Sequence, residues 1–226
     1  MTDVGIHNAF FDRIRQALAG GGKRTPAPPI PPAQAHAPGQ DLGAQFGAAL
    51  EAVGGRFVTV CSCSGLQGYL RGLIHHHGIR SVALSDAPLL GALGLPQWLS
   101  QEVECVLPAQ SHRLPFADFK RSLAQVDLGV TGCEFAIADT GTVVISSAER
   151  NRLISLLPAI HVVVFTREQL IGELAEVLSR LREPSRSAVT LITGPSRSGD
   201  IEMTLTLGVH GPREMYAICV PESALP

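Results

Sequence analysis

From residue 41 onward the apolar positions follow two alternating periods. Leu66, Leu70, Leu73 and Ile74 recur at helical spacing ahead of Gly78, whereas short runs such as 56–61 (RFVTVC), 81–84 and 161–165 are rich in β-branched and apolar residues. The first pattern is one face of an amphipathic helix, and the second is a strand with little exposed surface. Continued along the chain, the pattern predicts helices over 41–53, 66–78, 88–93, 116–123 and 167–181. It predicts strands over 56–61, 81–84, 102–107, 161–165, 189–193, 203–207 and 215–220. Three closely spaced strand-like runs, 127–130, 135–138 and 142–146, have Thr131-Gly132 and Thr140-Gly141 at their turns. They predict a hairpin or meander inserted in the alternation. Strands separated by helices of this length imply an α/β fold of three layers, with a mixed, mostly parallel sheet and helices on both faces.

Ahead of this region Ile6, Phe10, Ile14 and Leu18 recur every four residues, Asp3 stands at an N-cap position and Gly20-Gly21-Gly22 follows. The expectation is a helical arm over 1–19, either packed on its own domain or free to dock a partner. Six of the sixteen prolines fall between Pro26 and Pro38, so 20–40 reads as an extended linker and 41–226 as the α/β domain.

Composition narrows the function classes. The chain has 226 residues, 45% hydrophobic and 17% charged, with net charge −2. A core of good size is affordable, and disorder along most of the chain is excluded. The basic residues are interspersed with acids, which excludes the basic patch that nucleic acid requires. The most apolar stretch, 153–165, is broken by Ser155, Pro158 and His161 and is shorter than the roughly 20 residues of a membrane span. No basic run precedes an apolar stretch at the N-terminus, and five cysteines do not suggest a disulfide framework. The expected location is a reducing cytoplasm.

Three stretches carry candidate chemistry. Residues 193–202 (TGPSRSGDIE) leave a predicted strand through a Gly-Pro turn, in a loop expected beyond the carboxyl ends of the sheet. Gly194 and Ser196 expose backbone N–H groups, and Arg197 offers a planar fork for a carboxylate or phosphate. The alternative is a tight turn with Arg197 paired to Asp200 or Glu202. Residues 208–214 (GVHGPRE) place His210 and Gly211 on a bend, where His210 either meets a ligand or bonds the turn's carbonyls, and Arg213 adds a second cation. Residues 130–142 (VTGCEFAIADTGT) embed Glu134 and Asp139 among strand formers, with Thr140 and Gly141 at the turn. Glu134 and His210 are the candidates for acid–base or nucleophilic work.

Other features carry less. Consecutive His75, His76 and His77 on a helix diverge by about 100° each and do not converge on one ion. The cysteines form no C-x-x-C run of the kind that holds zinc or an iron–sulfur cluster. A nucleophilic Cys133 has no supporting base in the sequence, and Trp98 reads as a packing residue.

Four motifs in order, TGCEFAIADTGTVVIS, LLPAIHVVV, TGPSRSGDIE and LGVHGPRE, together resemble the lactate-utilisation (LUD-domain) family, in its small stand-alone protein C subgroup. The N-terminal NAFFDRIRQAL followed by prolines is similar to that subgroup as well. Ser198-Gly199 and Cys133-Glu134 depart from the commoner Thr-Ala and small residue-Asp. The resemblance implies a fold similar to the group of ribose-phosphate isomerase (RpiA), glucosamine-phosphate deaminase (NagB) and CoA-transferase. It also implies a role in bacterial oxidation of L-lactate to pyruvate alongside two iron–sulfur partner proteins. The clusters are expected in those partners, with no cofactor bound by this chain. With the resemblance, Gly194, Ser196, Arg197, His210, Gly211 and Arg213, adjoined by Thr140 and Gly141, are expected to form a pocket for a small anionic ligand. Two other classes stand beside this one: a self-sufficient enzyme of CoA-transferase or folate cyclo-ligase type using Glu134, and a non-catalytic assembly module. Whether this chain is itself an enzyme is left open.

Overall fold

Strands that are apolar on both faces must be covered on both, and the architecture follows from that requirement. The computed structural model describes residues 12, 13, 15, 16, 41–108, 115–146, 149–181, 188–199, 205–208 and 210–224. Two compact units divide the chain, Met1–Pro31 and Pro32–Pro226. In the first, Asp12, Arg13, Arg15 and Gln16 are helical and exposed, with Arg15 donating to Asp12 at 2.8 Å. The rest of the expected arm and linker lies outside the described residues.

In the second unit six strands form one wholly parallel sheet: β1 (Arg56–Thr59), β2 (Ser81–Leu84), β3 (Cys105–Pro108), β4 (Leu128–Gly132), β7 (Ile160–Thr166) and β12 (Glu214–Val220). Their order is β1-β12-β7-β4-β2-β3. A second sheet of order β8-β5-β6-β9 contains β5 (Phe135–Ile137), β6 (Thr142–Ser146), β8 (Leu170–Ile171) and β9 (Val189–Ile192). Its β5–β8 pair is parallel and the other two pairs are antiparallel. The mixed character expected of the fold thus resides in this inserted sheet.

Period-two alternation sorts the core. Val162 and Val164 of β7, with Tyr216, Ile218 and Val220 of β12, face a cluster built with α2 (Cys63–His77), α3 (Pro88–Ala92) and α4 (Leu95–Glu102). Their neighbours Val163, Phe165, Ala217 and Cys219 point the other way. They meet Phe46 and Leu50 of α1 (Leu42–Ala52) and Ala136, Ala138 and Val143 of the second sheet. On that same face Ala83 meets Phe119 and Leu123 of α5 (Phe116–Leu123) and Ile154 of α6 (Glu149–Ile154). The far side of the second sheet, through Ile137, Val144 and Ile171, packs on Val177 of α7 (Leu174–Arg180). Burying one such Leu or Val contributes about 1.5–3 kcal/mol.

Local signals set the helix ends. Asp41 caps α1 by accepting from the amides of Gly43 and Ala44, Ser62 caps α2, and Gly78 closes α2 in the left-handed conformation. The structure corrects three elements. The segment 167–181 is not one helix: Thr166 and Gln169 form a capping box around a single turn, and Leu170–Ile171 then pairs with β5 before α7 begins. Leu170, Ile171, Leu174, Val177 and Leu181 do have helical spacing, and sheet pairing overrides it. The strand expected at 102–107 begins at Cys105, because α4 extends through Glu102. Finally α6 and the hairpin of β10 (Arg197–Gly199) with β11 (Leu205–Leu207) have no expected counterpart over 149–154 and 197–199.

Candidate functional site

The two loops singled out by composition meet. Ser196 donates its amide to the Pro212 carbonyl at 2.8 Å, and the Gly208 amide donates to the Ser196 carbonyl at 3.0 Å. A Cβ at Gly211 would stand 2.9 Å from Ser196 Cβ, so glycine permits the contact. The Arg213 amide donates to the Ala159 carbonyl at 2.7 Å, fixing the loop just ahead of β7 and β12. A chain of hydroxyls joins the third stretch: Thr140 Oγ1 to Thr142 Oγ1 at 2.8 Å, and Thr142 Oγ1 to Thr193 Oγ1 at 2.7 Å.

All of these segments gather at the C-terminal end of α1. The Arg197 guanidinium donates to the Val53 carbonyl there, and Gly194 (φ +79°) lies against Val53. A cation at the carbonyl end of a helix is favourable for the dipole, so Arg197 closes α1. A guanidinium carries five N–H donors, so this contact engages only part of the fork. Arg197, His210 and Arg213 are exposed, Ser196 and Gly211 are half-buried, and Gly194 is buried. Asp200 and Glu202, the alternative partners of Arg197, lie outside the described residues.

This cluster sits at the amino edge of the parallel sheet, because 53–55 precede β1 and 208–213 precede β12. The expectation that 193–199 lie beyond the carboxyl ends is therefore corrected. The loop follows β9, a strand of the second sheet, and switch-point geometry does not apply to it. Glu134 lies at the opposite edge, directly after β4, whose five residues span about 16 Å. Glu134 and His210 consequently do not share one site. The Glu134 amide donates to the Val144 carbonyl at 2.8 Å, and the side chain is half-buried.

Beside it, burial pushes the Cys133 thiol up, with Cys219 and the Glu134 charge adding to the effect. A thiolate nucleophile is disfavoured there. Gln169 Nε2 donates to the Cys133 carbonyl, tying the loop to the end of β7. Composition-based reading missed Ser85, Asp86 and Ala87, which share this carboxyl edge. The Ser85 amide donates to the Val130 carbonyl at 3.0 Å, and Gly132 donates its amide to Ser85 Oγ at 3.3 Å. The available signal was positional: a polar pair directly after the apolar strand 81–84.

Two further polar groups are set in the sheet. His161 is fully buried, its Nε2 2.8 Å from Thr131 Oγ1 and its Nδ1 without a hydrogen-bond partner among the described residues, and burial lowers its pKa to about 3. At the amino end of β12 the Tyr216 hydroxyl donates to Glu214 Oε2 at 2.7 Å and lies 3.1 Å from His77 Nε2. Burial and that carboxylate raise the Tyr216 phenol well above its ordinary value. This network ties the end of α2 to β12; His75 and His76 are exposed. Among the described residues no group of three or more His, Cys, Asp or Glu could hold a metal ion, and no helix is long and apolar enough to cross a membrane.

Comparison with known proteins matches residues 43–220 to the model of the LUD domain. Lactate utilization protein C of Halalkalibacterium halodurans is 30% identical over 162 residues, 68% of this chain and 68% of that protein. Lactate utilization protein C of Anoxybacillus flavithermus is 30% identical over 159 residues, 70% of each. The crystal structure of a DUF162 family protein from Deinococcus radiodurans aligns with a TM-score of 0.56 at 24% identity, covering 79% of this chain and 96% of that one. That likeness shows the fold.

Proposed function

The chain belongs to the LUD-domain family, and from that premise we propose that it works in bacterial lactate utilisation. In this reading it is a subunit or accessory protein of a system that oxidises L-lactate to pyruvate, with the iron–sulfur clusters carried by partner proteins. The observation that carries the reading is the similarity, over two thirds of both chains, to proteins named Lactate utilization protein C.

The chain's own contribution is to hold a small anion at the amino edge of the sheet. Arg197 and Arg213 supply charge, His210 supplies an imidazole N–H donor, and Gly194, Ser196 and Gly211 form the backbone around them. Thr140 and Gly141 form the adjoining turn. The convergence of these loops through the Ser196–Pro212 and Gly208–Ser196 hydrogen bonds supports the assignment. A paired carboxylate is worth about 2–5 kcal/mol against loss of one partner when buried, and less at an exposed rim.

The test is growth on L-lactate of a strain lacking the gene, complemented by variants at matched protein levels. Arg213→Gln keeps the backbone and removes an exposed charge, and Arg197→Lys keeps a cation at the end of α1 while removing the fork. Slowed growth with either variant is expected. Wild-type growth with both variants overturns the anion site.

A further inference from the structure

A sheet edge offers backbone N–H and C=O groups to any strand that reaches it, and edges are ordinarily blunted against this. Three of the four edge strands of the two larger sheets carry such a device. β1 holds Arg56, β3 ends in Pro108, which has no N–H to give, and β8 is two residues long. β9 has none. Its residues (VTLI) include no charge, proline or glycine, and its pairing with β6 runs through all four positions without a bulge. Among the described residues no strand pairs with its other side.

Side-chain exposure marks the same strand. Leu191 stands opposite Val144, on the face that packs on Val177 of α7. It remains 45% exposed, more than any other large apolar side chain among the described residues. Two copies of one edge joined antiparallel are related by a two-fold axis normal to the sheet. Matching of faces then pairs residues of equal parity, so the axis passes through Thr190 or Leu191. Centred on Leu191, the register sets one exposed leucine against the other and Thr190 against Ile192, all strand formers or apolar. Charge favours a second copy as the occupant. A two-fold axis sets every charge near it against its own sign, so self-pairing requires a neutral edge, which β9 is and β1 is not. A foreign strand would find no charge on β9 to select it by.

We propose that two copies of this chain pair through β9, joining their inserted sheets into one continuous sheet about an axis at Leu191. Val189 of the partner subunit then lies opposite Thr193, at the turn that leads to Gly194 and Arg197, so the second copy borders the candidate anion site. The pairing itself rests neither on that site nor on the lactate reading. One strand pair makes a small interface, and the dimer is accordingly weak.

The full chain is followed by sedimentation velocity from about 1 µM to about 1 mM, the span in which an interface this small associates. A concentration-dependent dimer is expected. Leu191→Glu and Leu191→Lys each set like charges across the axis and should weaken association at least about tenfold. Phe116→Glu replaces another exposed apolar side chain, on α5, and should leave the dimer as it is. An equal mixture of the Leu191→Glu and Leu191→Lys chains should associate more tightly than either alone, a rescue that misfolded variants would not give. A chain that stays monomeric throughout leaves the edge to a different partner and overturns the proposal. So does a dimer that Leu191→Glu leaves unchanged, an equal loss with Phe116→Glu, or a mixture no tighter than its components.

Discussion

Gly141 stands in a Thr-Gly-Thr turn that could be read as a ligand loop, yet its geometry assigns it to packing. Its φ is +62°, and a Cβ there would lie 2.3 Å from the Leu50 amide nitrogen and 2.6 Å from Leu50 Cα. Both atoms belong to the helical backbone of α1, which cannot step aside as a side chain would. Two costs follow for Gly141→Ala: about 1–2 kcal/mol for a Cβ in the left-handed region, and about 1–3 kcal/mol for forcing atoms into a filled core. The total of about 2–5 kcal/mol corresponds to a fall in Tm of roughly 5–15 °C for a domain of this size. Urea denaturation followed by circular dichroism measures it, with Gly91→Ala as the matched control, since that Cβ meets nothing within 4 Å. The control should be unchanged or slightly stabilised. A loss below about 1 kcal/mol in Gly141→Ala would refute the close approach of turn and helix on which the candidate anion site is built.

Two further outcomes follow from polar groups in the sheet. Because His161 is held neutral, with a pKa of about 3 against an ordinary 6.5, the unfolded chain takes up a proton between those values that the folded chain refuses. Stability therefore falls as pH drops from 6.5 toward 3, by about 1.4 kcal/mol per unit; in denaturation at pH 4.5, 5.5 and 7, His161→Leu should lose about that much slope, and identical slopes would contradict it. Burial acts to raise the Asp127 carboxyl, but hydrogen bonds from the Arg80 and Ser81 amides and the Ser81 hydroxyl outweigh it and hold the carboxyl below its ordinary value. Its contribution is present above the ordinary carboxylate range and is lost as pH falls through the lowered folded value; Asp127→Ala should cost about 2–3 kcal/mol at pH 7, read by the same denaturation.

The parallel sheet was legible because its strands are short, apolar on both faces and punctuated by Gly, Pro and Asp. Ser81–Leu84 and Phe116–Leu123 match their expected bounds, and Asp41 and Gly78 mark helix ends by their own chemistry. Position relative to the sheet was not legible. Nothing in 189–193 indicates that this strand joins the inserted sheet rather than the parallel one, and that choice moves Arg197 from the carboxyl to the amino edge. Leu170 and Ile171 fit a helical stripe, and only pairing with Ala136 and Ile137, more than thirty residues away, makes them a strand. The contact between 193–197 and 208–213 depends on backbone hydrogen bonds, which residue identities do not encode directly. Ser85 and Asp86 gain meaning only from the strand order, which places the end of β2 beside the end of β4.

The measurement closest to the central claim is L-lactate-dependent dye reduction by the proposed iron–sulfur partner proteins, purified anaerobically, with and without this chain. The account predicts that activity depends on adding it and that a saturating amount restores full rate. Undiminished lactate oxidation in its absence would contradict a working role for this chain in that reaction.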